Sequence, residues 1–231
     1  MRPSSRSARR DPPRTAVGAP SAPPPIARWG ALRSWSILNL SVFLLRIVRE
    51  AVDRAKQTGF YAQLGALEAV VFAWAAIEAL LNEQAYIAIN VFGHGDEIVY
   101  HALERSRPAF DRVQATLRYL YGSALDDSRQ PADHLKHLIR LRNGLVHYKF
   151  RDPDVVKTLN QLVQLGYLNE PSTPWDQLPI AWTGQVKPEL AVWAYHTACD
   201  TAVAIADLMP DDEHHREEAK IIRANFEREL V

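Results

Sequence analysis

The stretch from Val70 to Leu81 reads Val-Val-Phe-Ala-Trp-Ala-Ala-Ile-Glu-Ala-Leu-Leu and is apolar on every face of a helix. This pattern is typical of a helix at the centre of a helical bundle. The stretch contains one charged residue, Glu78, and no part of the chain reaches the ~18–20 uninterrupted apolar residues of a membrane-spanning helix. The sequence therefore predicts a soluble, cytoplasmic protein with a buried central helix.

The sequence on both sides of this stretch predicts further helices. Apolar residues recur at steps of three and four, and prolines stand where the first turns of several helices would begin. Alternation typical of β-strands is scarce, so we expect an all-α antiparallel bundle of about five to seven helices. The predicted helices span residues 35–59, 60–91, 97–105, 108–121, 132–150, 153–166 and 188–209, and a last helix follows Asp211-Asp212.

Composition divides the chain into three segments. Residues 1–30 contain seven of the fifteen prolines, and residues 1–34 contain seven arginines but one acidic residue. This composition predicts a disordered arm, either simply solvated or in contact with an acidic partner. Residues 31–210 are expected to form one helical domain and residues 211–231 an acidic C-terminal helix. Because the chain beyond residue 34 carries an acidic excess, a globally basic nucleic-acid coat is excluded.

Residue types that bind metals or form disulfides are sparse. The single cysteine, Cys199, excludes an intrachain disulfide and is expected to be a small core residue in a reducing compartment. His134 and His137 have metal-ligand spacing, but no third ligand accompanies them, so a surface pair is predicted. His214-His215 is expected to be solvated, and Gly93-His94-Gly95 to be a break between helices. No metal or cofactor is predicted.

An arginine is the most informative residue of the predicted helix 132–150. Steps of four, three and four from Leu135 pass through Ile139, Arg142 and Val146, which places Arg142 at a core-facing position. A charge there is costly unless it is paired. We expect Glu78 to be its partner through a charge-assisted contact between the two helices. Such a pair either fixes the register of the helices or orients a functional arginine.

Two residues close to Arg142 in the sequence supply further functional groups. Asn143 and His147 are four apart and share a helix face, whereas Arg142 and His147 diverge by about 140°. They can converge on one phosphate if Gly144 lets the helix distort, or if a symmetric dimer brings two copies together. Together they supply hydrogen-bond donors, a group that titrates near neutrality and a permanent cation. Phosphodiester cleavage by a neighbouring ribose hydroxyl needs these groups and no metal.

The run Arg142-Asn143-Gly144-Leu145-Val146-His147 resembles the R-N-x-x-x-H motif of HEPN-domain proteins, a nucleotide-binding family of higher eukaryotes and prokaryotes. The context is similar too, because the motif lies late in a long helix that follows an apolar, Glu-bearing helix. The resemblance covers residues 31–210. It implies an all-α domain and, as in many members, a metal-independent endoribonuclease of toxin–antitoxin or other defence systems that acts as a homodimer.

The resemblance also implies roles for single residues. Arg142 would hold the scissile phosphate, His147 would transfer the proton, Asn143 would orient the RNA, and Glu78 would position Arg142. RNA would be the substrate, an antitoxin or a nucleotidyltransferase a further partner, and no membrane would be involved. The main alternative is a non-catalytic HEPN-like module that binds a partner protein or a nucleotide, and another is an enzyme that uses the histidines.

Overall fold

The computed structural model describes five stretches of the chain, which are residues 40–90, 108–147, 149, 151–175 and 184–227. These stretches contain seven α-helices, which are α1 (Leu40–Ala55), α2 (Phe60–Asn90), α3 (Ala109–Tyr121), α4 (Ala132–His147), α5 (Pro153–Gln164), α6 (Pro188–Asp207) and α7 (Glu213–Phe226). They contain no strand, and their one β-type contact is an isolated bridge between Leu168 and Val186. The predicted all-α class is confirmed.

The predicted helix limits agree with the structure to within a few residues wherever the chain is described. Prolines begin α5 and α6 as expected, and the side chain of Asp152 accepts a hydrogen bond from the backbone N–H of Asp154 at the start of α5. The predicted arm at residues 1–30, the Gly93-His94-Gly95 break and the helix predicted at 97–105 lie outside the described residues.

Helices α1 and α2 form an antiparallel pair that is tied at both ends. Near the start of α1, the backbone N–H and the hydroxyl of Ser41 donate to the carboxylate of Glu83, at 3.0 and 2.6 Å. Near its end, Nε and Nη2 of Arg54 donate to Oε2 of Glu68, at 3.0 and 2.6 Å. The two contacts join residues 42 and 14 positions apart, which fixes the antiparallel direction.

A glycine sets the distance between these two helices. A Cβ at Gly65 would lie 2.6 Å from the backbone nitrogen of Ala55 and 2.7 Å from the backbone oxygen of Ala51. Both neighbours are backbone atoms of α1 and cannot rotate away. Gly65 therefore lets α1 pack against α2 at a separation that no larger residue permits.

Helix α2 packs against α1, α3, α4 and α6, but one stripe of it faces outward. Val71, Ala75, Glu78 and Asn82 are partly or fully exposed, at steps of four, three and four. The expectation that α2 is buried on every face is therefore wrong. The sequence did not reveal the stripe because Val71 and Ala75 are themselves apolar.

Among the described residues, one helical segment is long and apolar enough to cross a bilayer, by length and composition alone. This segment, Phe60–Ile89, has a most apolar window with a mean hydropathy of 1.9, and 61% of that window is buried inside the protein. The core helix of a soluble protein has the same character, and α2 contacts four other helices. The structure is thus consistent with a soluble bundle.

The C-terminal helix is part of the bundle core. Ala219, Ile222 and Phe226 of α7 are buried, and α7 packs against α6. Four residues before Ile222 and on the same face, Glu218 accepts a hydrogen bond from Gln84 of α2 at 2.9 Å. The covered face of α7 therefore carries a half-buried carboxylate beside its apolar side chains.

Tyr121 of α3 contacts both α2 and α7. The hydroxyl of Tyr121 donates to Oε1 of Gln84 at 3.1 Å, and burial, with the nearby charge of Glu218, raises the pKa of this tyrosine. His215 is half-buried and packs edge-on against the Tyr121 ring, with centroids 6.1 Å apart. The prediction of a solvated histidine pair is thus wrong for His215, whereas His214 is exposed.

Candidate functional site at the C-terminal end of α4

The predicted site lies in the last two turns of α4, which the rest of the bundle holds in place. Leu135, Leu138 and Leu141 are fully buried along the inner face of this helix. Helix α4 packs against α2, α5 and α6. The predicted contact between the Glu-bearing helix and the motif-bearing helix is confirmed.

The guanidinium of Arg142 is half-buried and forms one hydrogen bond with the residues that the structure describes. Its Nη1 donates to Oδ1 of Asn143 at 3.0 Å. Its Nε is buried and has no hydrogen-bond partner. Among the described residues no carboxylate forms an ion pair with it. A cation in this position therefore lacks the counter-charge that burial demands.

The ion pair expected between Glu78 and Arg142 is not formed. Oε1 of Glu78 instead lies 4.0 Å from Nη2 of Arg112 on α3, and the Glu78 side chain is 45% exposed. The pair was expected because a helix apolar on every face would be fully buried, but Glu78 lies on the outward stripe of α2 and is exposed. Arg112 was missed because the sequence contains no signal for which helix would lie beside that stripe.

Asn143 links the arginine to the exposed face of α4. Asn143 and His147 share that face because they are four residues apart, and His147 is exposed in the last turn. The hydrogen bond from Arg142 therefore joins its guanidinium to a residue on the histidine side. Helix α4 continues through Gly144, so the suggested distortion there is not observed. The backbone N–H of Lys149 then donates to the carbonyl of Gly144 at 3.2 Å.

The surface position predicted for the other histidine pair is wrong for His137, whereas His134 is half-exposed. His137 is 5% exposed, and its Nδ1 lies 3.2 Å from the hydroxyl of Thr158 on α5. Burial lowers the pKa of His137, the charge of Arg140 adds to this effect, and the carboxylate of Asp133 opposes it. The ring of His134 packs against that of Trp193, with centroids 5.9 Å apart. These histidines serve packing between helices.

Within the described parts of the chain, no group of three or more His, Cys, Asp or Glu residues could hold a metal ion. Cys199 is buried and forms no disulfide with any described residue, as expected for a core residue. The predicted site residues Arg142, Asn143 and His147 thus lie together at the end of α4, whereas Glu78 is paired elsewhere.

No protein-family model matches the chain, and comparisons with curated proteins and with solved structures find no match.

Proposed function

We propose that the chain is a metal-independent endoribonuclease of the HEPN type and that Arg142 binds the scissile phosphate. One observation carries the proposal: the half-buried guanidinium of Arg142 has no carboxylate partner among the described residues and a buried Nε without an acceptor. A phosphate at the accessible end of the guanidinium would supply the negative charge that the described residues do not. Arginine is suited to this contact because its planar fork matches two phosphate oxygens.

The proposed reaction uses two side chains of α4. The 2′-oxygen of the ribose attacks the phosphorus, and the bond from phosphorus to the 5′-oxygen breaks. His147 takes the proton of the hydroxyl or delivers one to the leaving oxygen, as a positioned imidazole does in general acid–base catalysis. Arg142 stabilises the charge that develops on the phosphoryl oxygens, and Asn143 holds the guanidinium in place. The products are a 2′,3′-cyclic phosphate and a 5′-hydroxyl.

We further propose that the active form is a homodimer. Arg142 and His147 diverge by about 140° on a continuous helix, so a two-fold partner is the simplest source of the complementary residue. Val146 lies between them in sequence and is 43% exposed, which offers an apolar contact for a second copy. A cytoplasmic toxin or defence role, held in check by an antitoxin or a nucleotidyltransferase, is the biological setting that we propose for such an enzyme.

The test of activity uses the full chain and a labelled single-stranded RNA in the presence of a chelator. We expect cleavage that leaves a 2′,3′-cyclic phosphate and that a 2′-deoxy substitution at the cut site blocks. His147→Ala should lower the rate by roughly 10²–10⁴-fold, because a positioned acid–base group contributes about that much. His214→Ala, at an exposed histidine on α7, is the matched control and should cleave at the wild-type rate.

Two results would contradict this function. Full cleavage by a folded His147→Ala protein, or a strict requirement for magnesium, would exclude the proposed chemistry. Binding of RNA, nucleotide or protein without any cleavage would favour the non-catalytic module. Light scattering tests the dimer separately, and a strict monomer at tens of micromolar would exclude the shared site.

A further inference from the structure

The exposed face of α4 carries a line of polar side chains that leads to the proposed site. Lys136, Arg140, Asn143 and His147 follow one another at steps of four, three and four, so they lie on one face of the helix. Each is half-buried or exposed, whereas Leu141 on the opposite side is fully buried. Two of the four residues are cations, and both precede the residues of the proposed site.

The two cations differ in what already binds them. Nζ of Lys136 lies 3.0 Å from the carbonyl oxygen and 3.7 Å from Oδ2 of Asp127, and it also stands 4.8 Å from the ring centre of Phe110. Arg140 has no hydrogen bond or ion pair with any residue that the structure describes. Arg140 is therefore the cation on this face that remains available to an anionic ligand.

The charges around α4 are unevenly distributed along the chain. Acidic residues cluster before and at the start of the helix, as Asp126, Asp127 and Asp133. Over residues 136–157 basic residues dominate. These are Lys136, Arg140, Arg142, Lys149, Arg151 and Lys157, against Asp152 and Asp154. An anionic chain that follows this face would therefore be attracted to the C-terminal half of α4 and repelled from its start.

From this placement we infer that Arg140 binds a backbone phosphate of the RNA that flanks the scissile phosphate. The inference rests on the proposed function, and it adds that the strand runs along the exposed face of α4. Arg140 and His147 are seven residues apart, which is about 10 Å along the helix axis. This separation suits two different phosphates of one strand better than a single phosphate.

A purely structural role for Arg140 predicts a different salt dependence of RNA binding. A half-buried arginine stabilises its surroundings by packing its aliphatic stem against neighbouring side chains, without any ligand. A phosphate contact, by contrast, makes RNA affinity depend on salt, because each neutralised phosphate releases counterions. For single strands one such contact contributes about 0.7 to the slope of log K against log salt concentration, which is roughly a five-fold affinity difference near 0.1 M salt.

The experiment measures binding rather than cleavage. Fluorescence anisotropy follows a single-stranded RNA whose 2′-deoxy nucleotide at the cut site prevents reaction, over a series of salt concentrations. Arg140→Ala should weaken binding about five-fold near 0.1 M salt and reduce the slope by about 0.7. Arg140→Lys keeps the charge and should retain the wild-type slope. Lys220→Ala, at an exposed lysine on α7, should change neither quantity.

The outcomes of this experiment distinguish a failure of the Arg140 contact from a failure of the proposed function. If the wild type binds and cleaves RNA but Arg140→Ala keeps its salt slope, the flanking contact is wrong and the proposed function stands. If Arg140→Ala and Arg140→Lys lose affinity equally, the role of Arg140 is structural and the contact is again wrong. If the wild type neither binds nor cleaves RNA, the proposed function fails and this inference fails with it.

Discussion

Replacing Arg142 by methionine should remove activity without removing stability. The guanidinium is half-buried, forms one hydrogen bond to Asn143 at 3.0 Å and leaves a buried Nε without an acceptor. Methionine keeps an unbranched apolar side chain of similar reach and has no polar hydrogen to satisfy. We therefore expect Arg142→Met to fold normally and to lose RNA cleavage.

The expected change in the free energy of unfolding follows from two opposing contributions. The variant loses one hydrogen bond from a charged group, which contributes about 1.5–3 kcal/mol when well buried and less at a half-exposed position. It also removes an unsatisfied buried donor, which costs the wild type about 1–3 kcal/mol. The free energy of unfolding should therefore stay within about 1 kcal/mol of the wild-type value, whereas breaking a buried ion pair would cost about 3–5 kcal/mol.

Urea denaturation followed by circular dichroism measures this difference, and Arg54→Met provides the comparison. Nε and Nη2 of Arg54 both donate to Glu68, and the two side chains are 35% and 30% exposed. Loss of this charge-assisted contact should cost about 1–2 kcal/mol, since partial exposure reduces its value. Arg54, which is paired with Glu68, should thus contribute more to stability than Arg142, which has no carboxylate partner among the described residues.

A loss of about 3 kcal/mol or more in Arg142→Met would refute this reasoning, because it is the cost of breaking a buried ion pair. It would mean that a carboxylate neutralises Arg142 in the folded protein. Arg142 would then be a structural clamp, and the main support for a phosphate-binding role would be lost.

Three further predictions concern the bundle. Gly65→Ala should lower the free energy of unfolding by about 1–3 kcal/mol, because its Cβ would lie 2.6 Å from a backbone atom of α1; urea denaturation measures the loss. Phe226→Ala should cost about 3–5 kcal/mol, since its ring is fully buried, and an unchanged melting temperature would show that α7 does not pack as described. Burial holds the pKa of His137 below its usual value, so the unfolded chain binds this proton more tightly. Stability should therefore decline as the pH falls below about 6.5, and His137→Gln should weaken that decline in urea midpoints taken at several pH values.

Local sequence determined the helices and most of their limits. Pro153 and Pro188 begin helices because a proline in the first turn loses no hydrogen bond, and the Asp152 side chain caps the first of them. The three- and four-residue spacing of apolar residues predicted the burial of Leu135 and Ile139 on α4, but Val146 on the same stripe is 43% exposed. The sequence also placed Arg142, Asn143 and His147 on one helix, because they belong to one short segment.

Only the tertiary structure decided which side chains from different helices meet. Glu78 pairs with Arg112 instead of Arg142, and His137 is buried against Thr158. Helix α7 inserts Phe226 into the core although it belongs to a C-terminal segment with an excess of acidic residues. The physical reason is the same in each case. Residue spacing defines the faces of one helix, but the rotation and neighbours of that helix depend on how all the helices pack, and residues far apart in sequence carry no local signal of their contact.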